Sequence, residues 1–171
     1  MELHELTGLT SEQLVELGAE QPGAWGGGPS EALQWRESER HVALIEPGGR
    51  ILAVAGAAVI ELAVAGHGAF EVVGVGGVFV RESARGRGLM RRVLARLLDV
   101  ACEMGPERAM LFCRPHLVRV YGSFGFSEIA DPVWADQPAG RAQVPLRSMW
   151  RALHGTPDWP SGRVDLEGLP F

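Results

Sequence analysis

Apolar positions along the chain change their period several times, and each change marks an element. Met90, Val93, Leu94, Leu97, Leu98 and Ala101 recur three and four residues apart, with Arg91, Arg92, Arg96 and Asp99 between them. This is the period of an amphipathic helix from about Leu89, stopped by Gly105-Pro106. Upstream, "HVALIEP" and "RILAVAGAAVIELAV" flank a Gly-Gly turn and read as a hairpin. A second turn, "GHG", leads into a third strand, "AFEVVGVGGVFV", loosened by Gly74, Gly76 and Gly77. Downstream come a short strand, "AMLFCRP", and a short helix in "HLVRVYGSFGF" that ends at Gly125, a left-handed cap. "AQVPLRSMW" reads as a late strand. Near the start, "TSEQLVELGAE" predicts a short helix capped by Thr10 or Ser11. Gln13 lies at capping-box spacing from Thr10, and Leu14 and Leu17 share a face. "QPGAWGGGPS" is a loop, and "EALQWRESER" a second helix or a turn. No repeat or linker interrupts the pattern. It predicts one α/β (α+β) domain over 1–171, a mostly antiparallel central sheet flanked by helices, with 157–171 as an extended C-terminal tail.

Composition narrows the function. Hydrophobic residues make up 46% of 171 positions, enough for a sizeable core. The net charge of −5 argues against general nucleic-acid binding and agrees weakly with a cationic substrate. All 16 basic residues are arginine, which reads as a compositional bias. Cys102 and Cys113 offer neither a disulfide framework nor zinc spacing and read as buried free thiols; no metal is expected. "MELHELTGLT" lacks the apolar run of a secretory signal, and Glu61 breaks the most apolar stretch, so a cytoplasmic protein without a membrane span is expected.

The candidate chemistry lies where the third strand meets the long helix. Arg85-Gly86-Arg87-Gly88 sets glycines and positive charge just before the helix. The first amides of a helix have no partner inside it and lie at the positive end of its dipole, so a phosphate fits there. A nucleoside-triphosphate loop would need a lysine, and a dinucleotide fingerprint a third glycine where Arg91 stands; both patterns fail. Taken alone, the turn is as compatible with an ordinary polar turn as with a site.

A second stretch, "RVYGSFGF", follows some 40 residues later. Together the two resemble the GNAT superfamily of acetyl-CoA-dependent N-acetyltransferases. Its phosphate loop reads [RQ]-x-x-G-x-[GA], and Arg85, Gly88 and Met90 fall on the marked positions. Tyr121, Gly125 and Phe126 match the family's later tyrosine and Gly-Phe end. Two departures stand out: Met90 replaces a small residue, and Arg114 replaces an asparagine often found before the tyrosine. The order of "QWRESERHVALIEPGGRILAVAGAAV" and the aromatic tail are more loosely similar to the aminoglycoside 2′-N-acetyltransferase branch.

The resemblance implies acetyl-CoA as co-substrate, with Val78, Phe79 and Val80 beside the pantetheine arm. The pyrophosphate would rest on the amides of Arg85, Gly86, Arg87, Gly88, Leu89 and Met90, and Arg85, Arg87 or Arg91 would add charge, with solvated side chains as the alternative for Arg91 and Arg92. Tyr121, the only tyrosine, would assist the departing thiolate; its structural alternative is a core ring beside Phe124 and Phe126. The acceptor would be a small-molecule or peptide amine, with no nucleic acid and no membrane as partner; a homodimer is allowed. The base stays open among Glu71, Glu61, His67, Glu31 and a water chain, because Gly76 and Gly77 stand where relatives often carry a carboxylate. Trp25 or Trp35 would wall an acceptor pocket or plug the sheet. The tail, with Trp159, Leu166, Leu169 and Phe171, would fold back to line the acceptor groove or strap a core edge. The alternative to an enzyme is a non-catalytic acyl-CoA sensor.

Overall fold

The computed structural model describes residues 1–20, 32–155 and 158–171, and Trp25 and Glu31 lie outside the described residues. The chain opens with β1 (Glu2–Leu6), α1 (Ser11–Glu20), β2 (Arg40–Ile45), β3 (Ile51–Val64) and β4 (Gly68–Val80). α2 (Leu89–Glu103), β5 (Arg108–Cys113) and α3 (Val118–Gly122) follow. The short strands β6 (Ser127–Glu128), β7 (Val133–Ala135), β8 (Ala142–Gln143), β9 (Arg147–Ala152) and β10 (Val164–Leu166) complete the order. All ten strands join one sheet, in the order β6-β9-β5-β4-β3-β10-β7-β8, with β2 and β1 continuing from β3. Among the described residues, pairing is parallel only at β4–β5 and β10–β7.

Several sequence expectations need adjustment. "MELHEL" is a strand paired to β2. Residues 34–38 carry no helix, so the "helix or turn" alternative falls to an irregular segment. The expected tail contributes β10, antiparallel to β3 and parallel to β7. α1 starts with the anticipated capping box. The Gln13 N–H donates to Thr10 Oγ1 at 3.2 Å, and the Thr10 N–H donates to Gln13 Oε1 at 2.8 Å. Only one of its two leucines is core, however: Leu17 is fully buried while Leu14 is 45% exposed.

Strand alternation divides the sheet into two faces. Val42, Leu44, Ala53, Ala55, Val73 and Val75 point to one side and meet the buried stripe of α2, Val93, Leu94, Leu97, Leu98 and Ala101. The alternate positions point to the other side. Ala43 and Val54 pack there with Leu17 of α1, and further along Ala58, Ile60, Leu62 and Val72 pack with Val133 and Leu166. Truncating a stripe leucine such as Leu97 to alanine costs about 2–5 kcal/mol in such a core. No helix among the described residues is long and apolar enough to cross a membrane.

One irregularity matters for function. In the β3–β4 ladder Val54 faces Phe79 but Gly56 faces Gly76, so β4 carries one extra residue between them. Gly77 takes up the kink with φ of +58°. An extra residue reverses the alternation. Before the bulge Val73 and Val75 face α2; beyond it Val78 and Val80 face α2, while Phe79 turns to the α1 side.

Candidate active site

β4 and β5 are paired only from Val73–Val75 to Ala109–Leu111, although β4 runs on to Val80 and β5 to Cys113. The parallel strands therefore part beyond the bulge, at their carboxyl ends. The crevice outside such ends is where open α/β sheets bind ligands. Beside the unpaired end of β4 lies a cleft of about 390 Å³. Val78, Phe79 and Val80 form one wall; Ala84, Arg85, Gly86, Gly88, Leu89 and Met90 close one end; Leu117 and Tyr121 close the other.

The loop end presents glycines and the first amides of a helix. A short 3-10 turn, Glu82–Ala84, follows β4 and delivers Arg85 in an extended conformation. Gly86 and Gly88 have φ of +75° and +71°, and Gly88 is the N-cap of α2. The first amide bonded within α2 is that of Arg92, to the Gly88 carbonyl at 3.3 Å, which leaves the amides of Leu89, Met90 and Arg91 without partners in the helix. Arg81 anchors the loop from below. It is fully buried and donates from Nη2 to Glu16 Oε1 of α1 at 2.5 Å and from Nε to the Ile51 carbonyl of β3. Nothing in the sequence reading singled out Arg81; an arginine just past an apolar strand reads as solvated.

At the other end, Tyr121 projects from α3 and is 6% exposed, edge-on to Phe126 at 6.3 Å. Burial, reinforced by nearby Cys113, raises its hydroxyl to about 12. Cys113 is itself pushed up to about 11, mainly by burial, so it stays a thiol.

The structure brings most of the expected site residues together and separates a few. Val78, Val80, Arg85, Gly86, Gly88, Leu89, Met90 and Tyr121 share the cleft. Phe79 borders it, but its side chain packs with the α1-face cluster. Arg87 and Arg91 lie outside the lining, and the Arg91 guanidinium sits 5.3 Å above the Phe124 ring. Met90 packs its side chain on the core, leaving its amide at the loop. Among the base candidates, Glu61 and Glu71 face each other across the β3–β4 ladder, both exposed, and His67 sits in the turn beside them. Glu71 is seven residues before Val78, about 20 Å of strand. These three lie at the far end of the hairpin. Two lining residues went unremarked in the sequence. Leu117 was legible, because it stands four residues before Tyr121 and so on the same helical side. Ala84 gave no signal beyond its size.

Comparison with known proteins agrees with this geometry. A family model described as acetyltransferase (GNAT) domain matches residues 18–129. A probable glucosamine 6-phosphate N-acetyltransferase of Oryza sativa subsp. japonica is 45% identical over 51 residues, 30% of this chain and 31% of that protein. The match thus spans under a third of that relative's length. Among solved structures, a GNAT family N-acetyltransferase from Escherichia coli in complex with CoA superposes with a TM-score of 0.62 at 16% identity, covering 99% of this chain and 94% of that one. An aminoglycoside 6′-N-acetyltransferase complexed with coenzyme A gives 0.60 at 15% identity, covering 92% and 100%. At these identities the likeness is one of fold.

Proposed function

Because the chain belongs to the GNAT family of acetyltransferases, we propose that residues 1–171 act as one cytoplasmic N-acetyltransferase domain that moves an acetyl group from acetyl-CoA to a primary amine. One observation carries the reading. A cleft beside the stretch of β4 that lies beyond its pairing with β5 is lined by the glycine loop at the start of α2 and by Tyr121. In this reading the pyrophosphate rests on the amides from Arg85 to Met90, with Arg85 adding charge. The pantetheine arm lies along Val78–Val80, and the thioester comes to rest near Tyr121. The arm pairs with strand edge that β5 leaves free.

Transfer proceeds by direct attack within the ternary complex. The amine lone pair adds to the thioester carbonyl carbon and forms the C–N bond; the tetrahedral oxyanion collapses, the C–S bond breaks, and CoA leaves as the thiolate. The new ammonium loses its proton to water, and the thiolate takes up a proton from water to become the CoA thiol. Holding both reactants in one cleft supplies much of the acceleration. Tyr121 assists by donating a hydrogen bond to the sulfur as charge develops. Complete donation is disfavoured: from a hydroxyl at about 12 to a thiolate of ~8.5 it runs uphill by about 5 kcal/mol. The amine, with a pKa of ~10.4 if lysine-like, costs roughly 4–5 kcal/mol to deprotonate at neutral pH. With Glu61, Glu71 and His67 remote from the cleft, Glu31 and a water chain stay as the proton's routes.

The names of the similar proteins favour a small-molecule amine as acceptor. CoA-thiol release measured with amino sugars, aminoglycosides, polyamines, amino acids and peptide N-termini tests the reading. Turnover with one class is expected, and Tyr121→Phe should lower kcat about 10- to 100-fold with acetyl-CoA affinity unchanged. Tight acetyl-CoA binding with no turnover across the panel would instead mark the sensor.

A further inference from the structure

The cleft takes the co-substrate from the α2 side of the sheet, where α2 and α3 close around it. The opposite face of the β4–β5 gap is left as an approach for the acceptor. On that face, β4 offers bare backbone beside the bulge, because Gly74 and Gly76 point there. Chain from the far end of the sequence already stands over both. A Cβ on Gly74 would lie 2.6 Å from the Phe171 ring, and one on Gly76 would lie 3.0 Å from the Phe171 carbonyl carbon. The ring is held from the β5 side by Phe112, 5.0 Å between centroids, which in turn meets Trp35 edge-on at 6.1 Å. The Arg36 amide donates to the Pro170 carbonyl at 2.6 Å, so the irregular segment before β2 and the end of the tail meet over this face.

We infer that Phe171, seated on Gly74 and Gly76 at the acceptor side of the β4–β5 gap, is a specificity-determining residue that limits acceptors to slender primary amines and screens the thioester from water. The inference rests on the acetyl-transfer reading above and adds to it the residue that selects the acceptor. The physical reason is volume. Gly74 lies beneath the ring and Gly76 beneath the Phe171 backbone, so an acceptor carrying a ring or branch next to its amine would have to occupy the same space. A wall of this kind rejects bulk by steric overlap and discriminates between acceptors without touching the co-substrate.

The test compares the wild type with Phe171→Ala and Phe171→Leu, using acetyl-CoA with propylamine, benzylamine or tryptamine, and acetyl-CoA alone. Opening the wall should raise the kcat/KM ratio of tryptamine to propylamine by about tenfold or more in the alanine variant. Leucine should move it less, in the same direction. Acceptor-free CoA release should also rise in the alanine variant, and the acetyl-CoA dissociation constant should stay put. The acceptor-free rate decides alone if the wild type turns over none of the three amines, and the leucine variant decides if the alanine variant does not fold. Unchanged ratios and hydrolysis in a folded variant that binds acetyl-CoA overturn the inference and make Phe171 a core strap only. Failure of the wild type to bind acetyl-CoA overturns the transfer reading itself.

Discussion

Two pairs of glycines within fifteen residues of one another show that one residue type answers two different physical demands. Gly74 and Gly76 sit in β4 with negative φ, and what requires glycine there is the neighbour pressing on the backbone. Gly86 and Gly88 have the reverse situation. Nothing lies within 4 Å of where their Cβ atoms would be, and the requirement is the left-handed backbone itself. The first pair makes room for the protein's own Phe171 on the face proposed to receive the acceptor. The second keeps open the space that a phosphate would enter on the α2 face.

The largest effect should come from the crowded pair. Gly74→Val drives a branched side chain into the Phe171 ring, and overpacking of this kind costs about 1–3 kcal/mol or more. Loss of β-strand glycine flexibility works slightly the other way, since valine favours strands. A urea unfolding midpoint well below wild type is expected. Adding Phe171→Ala should restore part of it, and that positive coupling measures the contact. A double variant no more stable than Gly74→Val alone would show that the ring is not what the glycine accommodates.

The cleft side has its own probe in Tyr121, whose hydroxyl is raised from 10 to about 12 by burial. The folded state disfavours the phenolate, so the stabilisation is fully present below pH 10 and is lost as the pH rises through 12. A two-unit shift corresponds to about 2–3 kcal/mol. Tyr121 is the only tyrosine, so phenolate absorbance reports it without overlap from another. The midpoint should stand near 12 in the folded protein, and Tyr121→Phe should abolish the transition. A midpoint at the ordinary value would place the hydroxyl in bulk water, which would argue against a dry thioester site.

Next in size is the open pair. Gly88→Ala meets no neighbour, but its backbone must keep φ of +71°, which costs an L-residue about 1–2 kcal/mol. Asparagine tolerates that region better, so Gly88→Asn should recover much of the loss. Acetyl-CoA affinity should fall with Gly88→Ala more than with a surface change such as Arg92→Gln. Equal losses from Gly74→Ala and Gly88→Ala in acetyl-CoA binding would erase the division of labour between the two pairs.

The legibility of these features in the sequence follows the range of the interactions behind them. The α2 stripe, the capping box at Thr10 and Gln13, the two hairpin turns and the phosphate-loop glycines depend on neighbours within a few residues, and each is written in local spacing. The parallel β4–β5 pairing, the insertion of β10 between β3 and β7, and the burial of Arg81 depend on partners tens of residues away. The bulge at Gly77 lies between the two classes. Its glycines were visible as a loosened strand, but only the register against β3 shows that the alternation reverses there. That reversal sends Phe79 to the far face while its flanking valines line the cleft. Glu61 and Glu71, two of the open base candidates, lie at the end of the β3–β4 hairpin away from the cleft, and distance along a strand is not visible in residue type.

The smallest expected effect concerns how the two faces are covered. On one side α2 buries seven residues, Leu89, Val93, Leu94, Leu97, Leu98, Val100 and Ala101. On the other, the described side chains of α1 bury Leu17 alone, and Leu14 and Val15 are exposed. Helical spacing put Leu14 and Leu17 on one side, yet three residues advance the helix by 300°, so the pair straddles an edge of the buried stripe. Leu17 falls inside it, against Val54 and Phe79, and Leu14 falls at the rim. Leu14→Ser should therefore change unfolding free energy by no more than about 0.5 kcal/mol, read from the urea midpoint at unchanged slope. A loss of about 2 kcal/mol or more would mean that Leu14 is buried in solution, and the thin cover over the acceptor face would then be thicker than the contacts of α1 with β2, β3 and β4 account for.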